Sequence, residues 1–324
     1  MTVTKRDQLK LPKRKKASAV LNTSVPLPNA TNQFLINEFN HARNHEAGII
    51  RDDHDEFLHQ YRVSLRRCRA LLALLKPLFP QQSQQALKIE LKGLMQHTNL
   101  LRDLDVFLLK MDDYFYELEH CHHQGLTRFF DELQDQRRQA FKTVRKQLKS
   151  EGYQHQCVVI LEQLEQQSKT LTKSSDEESQ VFAQQLLWKH FKVVESDSQR
   201  LDAESPDEDI HQLRIDCKKL RYLLEFFSPL LPAKAAKTQV SQLKLLQDKL
   251  GEFNDLSVQL AFFTSYLSKQ KPSSKRYLAI TELLSLTQDQ HRRARAETFD
   301  QLGHFLAPAH LDLYYALYPD SGED

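Results

Sequence analysis

Residues 59–79 read HQYRVSLRRCRALLALLKPLF, and residues 211–231 read HQLRIDCKKLRYLLEFFSPLL. The two belong to a longer match, in which residues 55–106 align with residues 207–258 at a constant shift of 152 and without a gap. Asp55 meets Asp207, His59-Gln60 meets His211-Gln212, Arg62 meets Arg214, Arg66-Arg67 meets Lys218-Lys219, and Arg69 meets Arg221. Further on, Pro77 meets Pro229, Pro80 meets Pro232, Leu91-Lys92 meets Leu243-Lys244, and Asp103-Leu104 meets Asp255-Leu256. An ungapped match across two segments and their connection marks a tandem duplication, and it organises the rest of the reading.

The period inside each copy is that of a helix. With His59 at zero and about 100° per residue, Arg62, Arg66 and Arg69 fall at about 300°, 340° and 280°, on one narrow face. Leu58, Leu65, Cys68, Leu71, Leu72 and Leu75 fill a separate apolar face between about 120° and 260°, the pattern of a helix with one side in a core. The second copy repeats the wheel with His211, Arg214, Lys218 and Arg221. Acidic residues precede each His (Asp52, Asp53, Asp55; Asp207, Glu208, Asp209), where a helix N-terminus favours negative charge. Pro77 and Pro229 stop each helix, because proline cannot continue the hydrogen-bond ladder. On the following helices Lys88, Lys92 and Arg102 recur, and Lys244 answers Lys92.

Composition agrees with an all-α fold. The chain has 324 residues, only 7 Gly and 11 Pro, and a hydrophobic share of 40%, enough for a substantial core but short of turn-forming residues for a β fold. Each copy is expected to hold a leading helix (about 31–50 and 179–199), the His/Arg helix, a proline turn, a second basic helix and a long final helix (about 125–149 and 274–300). That plan predicts two helical bundles. Repeat 1 is placed at about 31–165 and repeat 2 at about 181–317. Between them the polar stretch 166–180 reads as a linker, and residues 1–30, with Lys13-Arg14-Lys15-Lys16, read as a flexible basic tail. No apolar run approaches the roughly 18 residues of a membrane span, and no apolar stretch follows the basic N-terminus, so a cytoplasmic location is expected.

The net charge of +2 predicts no partner by itself; the distribution does. Like charges at i, i+3 and i+4 destabilise a helix by a few tenths of a kcal/mol per pair, so an unrelieved cationic face is normally diluted with acids. Here it is kept twice. Guanidinium groups match pairs of phosphate oxygens, lysines add compact mobile charge, and histidine adds a donor whose charge follows its surroundings. The face therefore suits a polyanion.

Rival chemistries have weaker signals. A single-strand nucleic-acid binder interleaves aromatics for stacking, and only Tyr222 sits at the edge of the stripe, with Ala70 as its counterpart. His120-Cys121-His122-His123 and the His41/His45 pair could attract a metal, but neighbouring helical residues diverge and no further ligand is spaced to join them. The four cysteines form no CxxC pair. Asp103, Asp105 and Asp255 are the recurrent acids near the stripe, and pairing with arginine accounts for them without catalysis. No cofactor, metal site or catalytic residue is expected.

The quoted helices resemble the signature helix of CHAD domains, the helical domains named for their histidines. Residues 91–108 (LKGLMQHTNLLRDLDVFL) and 243–260 (LKLLQDKLGEFNDLSVQL) are similar to that family's second signature, built around Arg-Asp-Leu-Asp. The resemblance covers about residues 32–315. It implies two four-helix bundles related by a pseudo-twofold axis with a basic cleft between them, and non-catalytic binding of inorganic polyphosphate with targeting to polyphosphate granules. The expected polyphosphate-binding set, read from the stripe and its repeat, is His59, Arg62, Arg66, Arg69, Lys88, Lys92, Arg102, His211, Arg214, Lys218, Arg221, Tyr222 and Lys244; nucleic acid is the competing partner. One departure stands out: Asn254 replaces the cation Arg102, so the face is expected to be asymmetric. The triphosphatase often fused to such domains has a Glu-x-Glu-x-Lys strand. Lys88-Ile89-Glu90-Leu91-Lys92 lacks its first Glu and lies in a helical pattern. A standalone module is expected.

Overall fold

The computed structural model describes residues 9–14, 21, 25–170 and 176–316. Among the described residues every regular element is helical and none is a strand. The chain divides into two compact units. The first holds α1 (Leu27–Arg43), α2 (Glu46–Arg51), α3 (Asp55–Leu74), α4 (Gln81–Gln96), α5 (Asn99–Leu109), the larger part of α7 (His120–Leu148) and α8 (Glu151–Thr170). The second holds α6 (Met111–Glu117), the start of α7, α9 (Asp176–Arg200), α10 (Asp207–Phe227), α11 (Ala233–Leu267), α12 (Lys275–Phe305) and α13 (Pro308–Tyr315).

In the first unit α3 lies against α1 and α4, and α8 closes the group against both of those. The apolar face read from the wheel is the buried one: Leu58, Leu65, Cys68, Leu71, Leu72 and Leu75 are all in the core, joined by Phe57 and Tyr61. Truncating one such leucine to alanine costs roughly 2–5 kcal/mol in a packed core, so this face holds α3 in a fixed rotation. In the second unit α10 packs on α9 and α11, and α11 runs along α12. Leu213, Cys217, Leu220, Leu223, Leu224 and Phe227 form its buried face. Phe191 stacks on Tyr314 at 4.1 Å, which seats α13 on α9.

Element boundaries follow the shift of 152. Asp55 and Asp207 open α3 and α10, the 3-10 turns Lys76–Leu78 and Ser228–Leu230 carry the two prolines, and Gln81 and Ala233 open α4 and α11. The copies then diverge. The second basic helix is continuous as α11, but in the first copy it breaks at His97-Thr98 into α4 and α5. The expected leading helix 31–50 is likewise split at Asn44-His45, and α2 ends on Asp52 in the left-handed region at φ 55°. A side chain with a Cβ is strained there. Both oxygens of the Asp52 carboxylate accept from Arg137, at 2.6 and 2.8 Å, a fork that holds the turn.

Two expectations need correction. The stretch 166–180 was expected as a linker, yet α8 runs to Thr170 and α9 starts at Asp176, because polar helix formers still propagate a helix begun elsewhere; residues 171–175 lie outside the described residues. The expected tail 1–30 also contains structure. α1 begins at Leu27, with Pro26 as its cap and Pro28 in the first turn, where a missing N–H breaks no bond. Leu9 donates its backbone N–H to Asp53 Oδ2 at 3.2 Å, and Arg14 reaches Ser64 Oγ at 3.1 Å, Gln60 Oε1 at 3.4 Å and the buried Glu38 at 3.6 Å. Residues 1–8, 15–20 and 22–24, with Lys15 and Lys16 among them, lie outside the described residues.

Arg14 shares Ser64 Oγ with His41, whose Nδ1 is 2.9 Å from it. Burial, then Arg14 and His45, push His41 from the ordinary 6.5 down to about 4, with Arg67 adding to the effect against a hydrogen bond to the Pro12 carbonyl. The folded protein therefore holds neutral imidazole while the unfolded chain takes up a proton below 6.5. Stability is present above that pH and is lost as pH falls toward 4. Urea melts of the parent should show this loss, and the His41→Gln variant should show a flatter profile over the same interval.

Candidate functional site

On α3 the four sequence-predicted residues do share a side, but the structure gives them different tasks. Arg62 is 9% exposed, and its Nη1 donates to Thr98 Oγ1 at 2.7 Å, Met95 O at 2.9 Å and Asn99 Oδ1 at 2.9 Å. It ties α3 to the break between α4 and α5. Arg69 reaches the same place, with Nη1 3.4 Å from Met95 Sδ. Arg66 lies between these anchors and His59 about a turn before Arg62, and both are half-buried. Lys88 and Lys92 are exposed on α4, seven and three residues before Met95, so helical spacing puts them on the flank that Arg62 and Arg69 approach.

Arg102 arrives from α5 and pairs with Asp55 at 3.4 Å. The electrostatics show that these groups feel one another. Arg62 is pulled below its ordinary value by burial, then by Arg66, with Asp103 opposing and Arg102 adding. His59 is likewise pulled down by burial, then by Arg102, with Arg66 contributing and Glu56 and Asp55 opposing. Asp103 is pushed up by burial, although Arg62 and Arg102 resist that. Arg137 is the contrast. Its hydrogen bond to Asp52 and its pairing with Asp105 at 2.7 Å hold it above its ordinary value against burial. Arg137 is compensated within the fold. The α3 cluster is crowded by its own sign.

The second unit carries the same stripe with different neighbours. His211 is exposed, and its Nδ1 lies 2.6 Å from Asn254 Oδ1. Asn254 stands where the first copy has Arg102, so an amide dipole orients this imidazole while a cation opposes the charging of the other. With Nδ1–H donated to the amide oxygen, Nε2 faces outward. Arg214 and Lys218 are half-buried. Arg221 pairs with Glu225 at 3.4 Å and lies over the Tyr222 ring at 6.0 Å, and Tyr222 itself is half-buried. Lys244 is exposed on α11. Asp216 is buried and turned aside to Gln212 and Lys219.

Sequence reasoning did not find the Asn254–His211 contact or the anchoring role of Arg62. The first was signalled by a polar replacement at an aligned cationic position. The second had no local signal, since it depends on Thr98 and Asn99 ending one helix and starting another. Among the described residues no three His, Cys, Asp or Glu side chains converge as a metal would require. His41 and His45 spend their Nδ1 atoms on Ser64 and on the His41 carbonyl, and His120 faces His123 at 3.4 Å.

The sequence model of the CHAD domain family matches residues 33–264, more than half of the chain. The chain belongs to the CHAD domain family. The crystal structure of the CHAD domain from the plant Ricinus communis superposes with a TM-score of 0.68 at 23% identity, covering 96% of this chain and 98% of that one. PptA from Streptomyces chartreusis superposes with a TM-score of 0.66 at 15% identity, covering 86% of this chain and all (100%) of that one. At those identities the likeness is one of CHAD fold. No curated protein matches the chain by sequence.

Arg62 and Arg66 should separate in a stability measurement. Arg62→Ala removes three hydrogen bonds between α3 and the helix break, two of them to the buried Met95 and Thr98, and should cost roughly 1–3 kcal/mol. Arg66→Ala, which removes no hydrogen bond or ion pair among the described residues, should stay within about 0.5 kcal/mol of the parent. Equal thermal midpoints for the two variants would contradict the anchoring role.

Proposed function

We propose that this CHAD protein is a non-catalytic module that binds inorganic polyphosphate. The observation that carries the reading is the state of the α3 cluster, where burial and neighbouring arginines, rather than carboxylates, dominate the surroundings of Arg62 and His59. Cations kept close without full internal compensation are relieved by an anion from outside, and a polymer with regularly repeated phosphates can relieve several at once. In this reading His59, Arg66, Arg69, Arg102, Lys88 and Lys92 hold the polymer in the first repeat, and His211, Arg214, Lys218, Arg221, Tyr222 and Lys244 hold it in the second. Arg62 adds charge while its Nη1 keeps the helix break closed.

The finer architecture belongs to the same proposal: two four-helix bundles from a duplication, with pseudo-twofold symmetry and a basic cleft. It is supported by the coincidence of helix and turn boundaries at a shift of 152. A cytoplasmic protein of this kind would collect on polyphosphate granules. Nucleic acid is the competitor to test, and the half-buried position of Tyr222 argues for polyphosphate, since stacking needs an open ring face.

Titration with polyphosphate of defined length, against single-stranded RNA at matched charge, tests the reading. The combined variant Arg66→Ala, Arg69→Ala, Lys218→Ala and Arg221→Ala should bind polyphosphate at least about tenfold more weakly, since each charged hydrogen bond contributes roughly 1.5–3 kcal/mol. Undiminished affinity, or tighter binding of RNA, would remove the assignment. Protonation gives an independent readout. The free protein holds His59 neutral more readily than an exposed histidine, and bound phosphate favours imidazolium. Binding should therefore take up protons and tighten as pH falls toward the ordinary histidine range, while His59→Gln should reduce the uptake seen by calorimetry in buffers of different ionisation enthalpy.

A further inference from the structure

Helix α7 carries a second file of cations that the duplicated stripe does not explain. From residue 136 to residue 150 there is no acid, and Arg137, Arg138, Lys142, Arg145, Lys146 and Lys149 fall within that span. Arg137 is used inside the fold by Asp52 and Asp105, and Arg138 pairs with Asp135. Lys142, Arg145, Lys146 and Lys149 are exposed and make no ion pair among the described residues. With Arg138 at zero, Lys142, Lys149 and Arg145 lie at about 40°, 20° and 340°, one line along the solvent side. Lys149 just follows the helix, but its N–H still bonds Arg145 O at 3.3 Å, so the line continues through it. Lys146 flanks the line at about 80°.

The fold does not require this charge, as the second repeat shows. Leu126, Phe129, Leu133, Ala140, Val144 and Leu148 are buried on α7, and Ile280, Leu283, Thr287, Ala294, Thr298 and Leu302 are buried on α12 at a constant shift of 154. In that register Arg138 meets Arg292, with Asp135 and Asp289 as their partners. Lys142, Arg145, Lys146 and Lys149 meet Ala296, Phe299, Asp300 and Gly303. The helix dipole favours cations in the last turn, which accounts for part of Arg145 and Lys146 but not for Lys142, a turn earlier.

We propose that Lys142, Arg145, Lys146 and Lys149 form a second track for polyphosphate, separate from the α3 and α10 stripes. This inference rests on the proposed function for its ligand, and on α7 alone for its place. A linear polymer suits a straight file of charge. The residues between the cations are Thr143, Val144, Gln147 and Leu148, and the two apolar ones are buried, so the track offers no ring for a base and no wedge for a bilayer. A chain long enough to occupy both places gains from a raised effective concentration; a short one does not.

The full chain carrying Lys142→Glu, Arg145→Glu and Lys149→Glu should bind long polyphosphate at least about tenfold more weakly, and its salt slope should fall by roughly 2–3. Its affinity for a short oligophosphate should stay unchanged. The corresponding Gln variant should shift the same way and guards against misfolding, with helicity and thermal midpoint as controls. Parent-like affinity and slope for the long polymer in both variants would overturn the proposal. So would a larger effect on single-stranded RNA or on phosphatidylserine vesicles than on polyphosphate. The combined α3/α10 variant separates the two claims: if it binds short oligophosphate like the parent, the stripe assignment fails while the α7 track is judged by its own variants.

Discussion

A helix can hold several cations on one side only if something stronger fixes its rotation, and here that is the burial of its opposite face. Leu65, Cys68, Leu71 and Leu72 in α3, and Leu213, Cys217, Leu220 and Leu224 in α10, leave almost no surface to solvent. Each buried side chain of this size contributes roughly 1.5–3 kcal/mol, while each like-charge neighbour pair costs a few tenths. Packing therefore wins by a wide margin, and the repulsion is retained as a standing bias toward any anion that arrives. The same balance explains how Arg62 tolerates near-complete burial: its Nη1 meets three acceptors at the helix break.

The division of labour within the stripe follows from depth. Arg62 sits deepest and acts mainly as a brace, Arg69 rests against the sulfur of Met95, and His59 and Arg66 lie between core and solvent. A ligand would find charge supplied from below and contacts supplied from the rim. The paired histidines differ in the same terms. His59 lies near Arg102, which opposes its protonation, and His211 rests on Asn254, which carries no charge and fixes one ring nitrogen.

Much of this was legible in the sequence because the informative signals were periodic. The buried face of α3, the proline turns and the boundaries at a shift of 152 all follow from spacing, and the structure keeps them. What was not legible depends on contacts between distant segments. Nothing in the basic run around Arg14 shows that Glu38 and Ser64 await it across α1 and α3. Nothing in residues 166–180 shows that their helices continue from both ends, since composition there is as compatible with a solvated helix as with a coil. The anchoring of Arg62 needed the break at His97-Thr98, which the intact α11 gave no reason to expect.

The two final helices hold one more contrast. Arg137 reaches Asp105 in the first unit; in the second, at the matching positions, His291 lies 2.9 Å from Ser257 and 3.1 Å from Asp207. A guanidinium keeps its charge at every pH a cell meets, whereas burial makes the His291 ring reluctant to protonate despite Asp207 beside it. The matching positions thus hold a fixed charge in one unit and a titratable group in the other. Acidification can therefore change the charge at this position in the second unit and leaves it unchanged in the first.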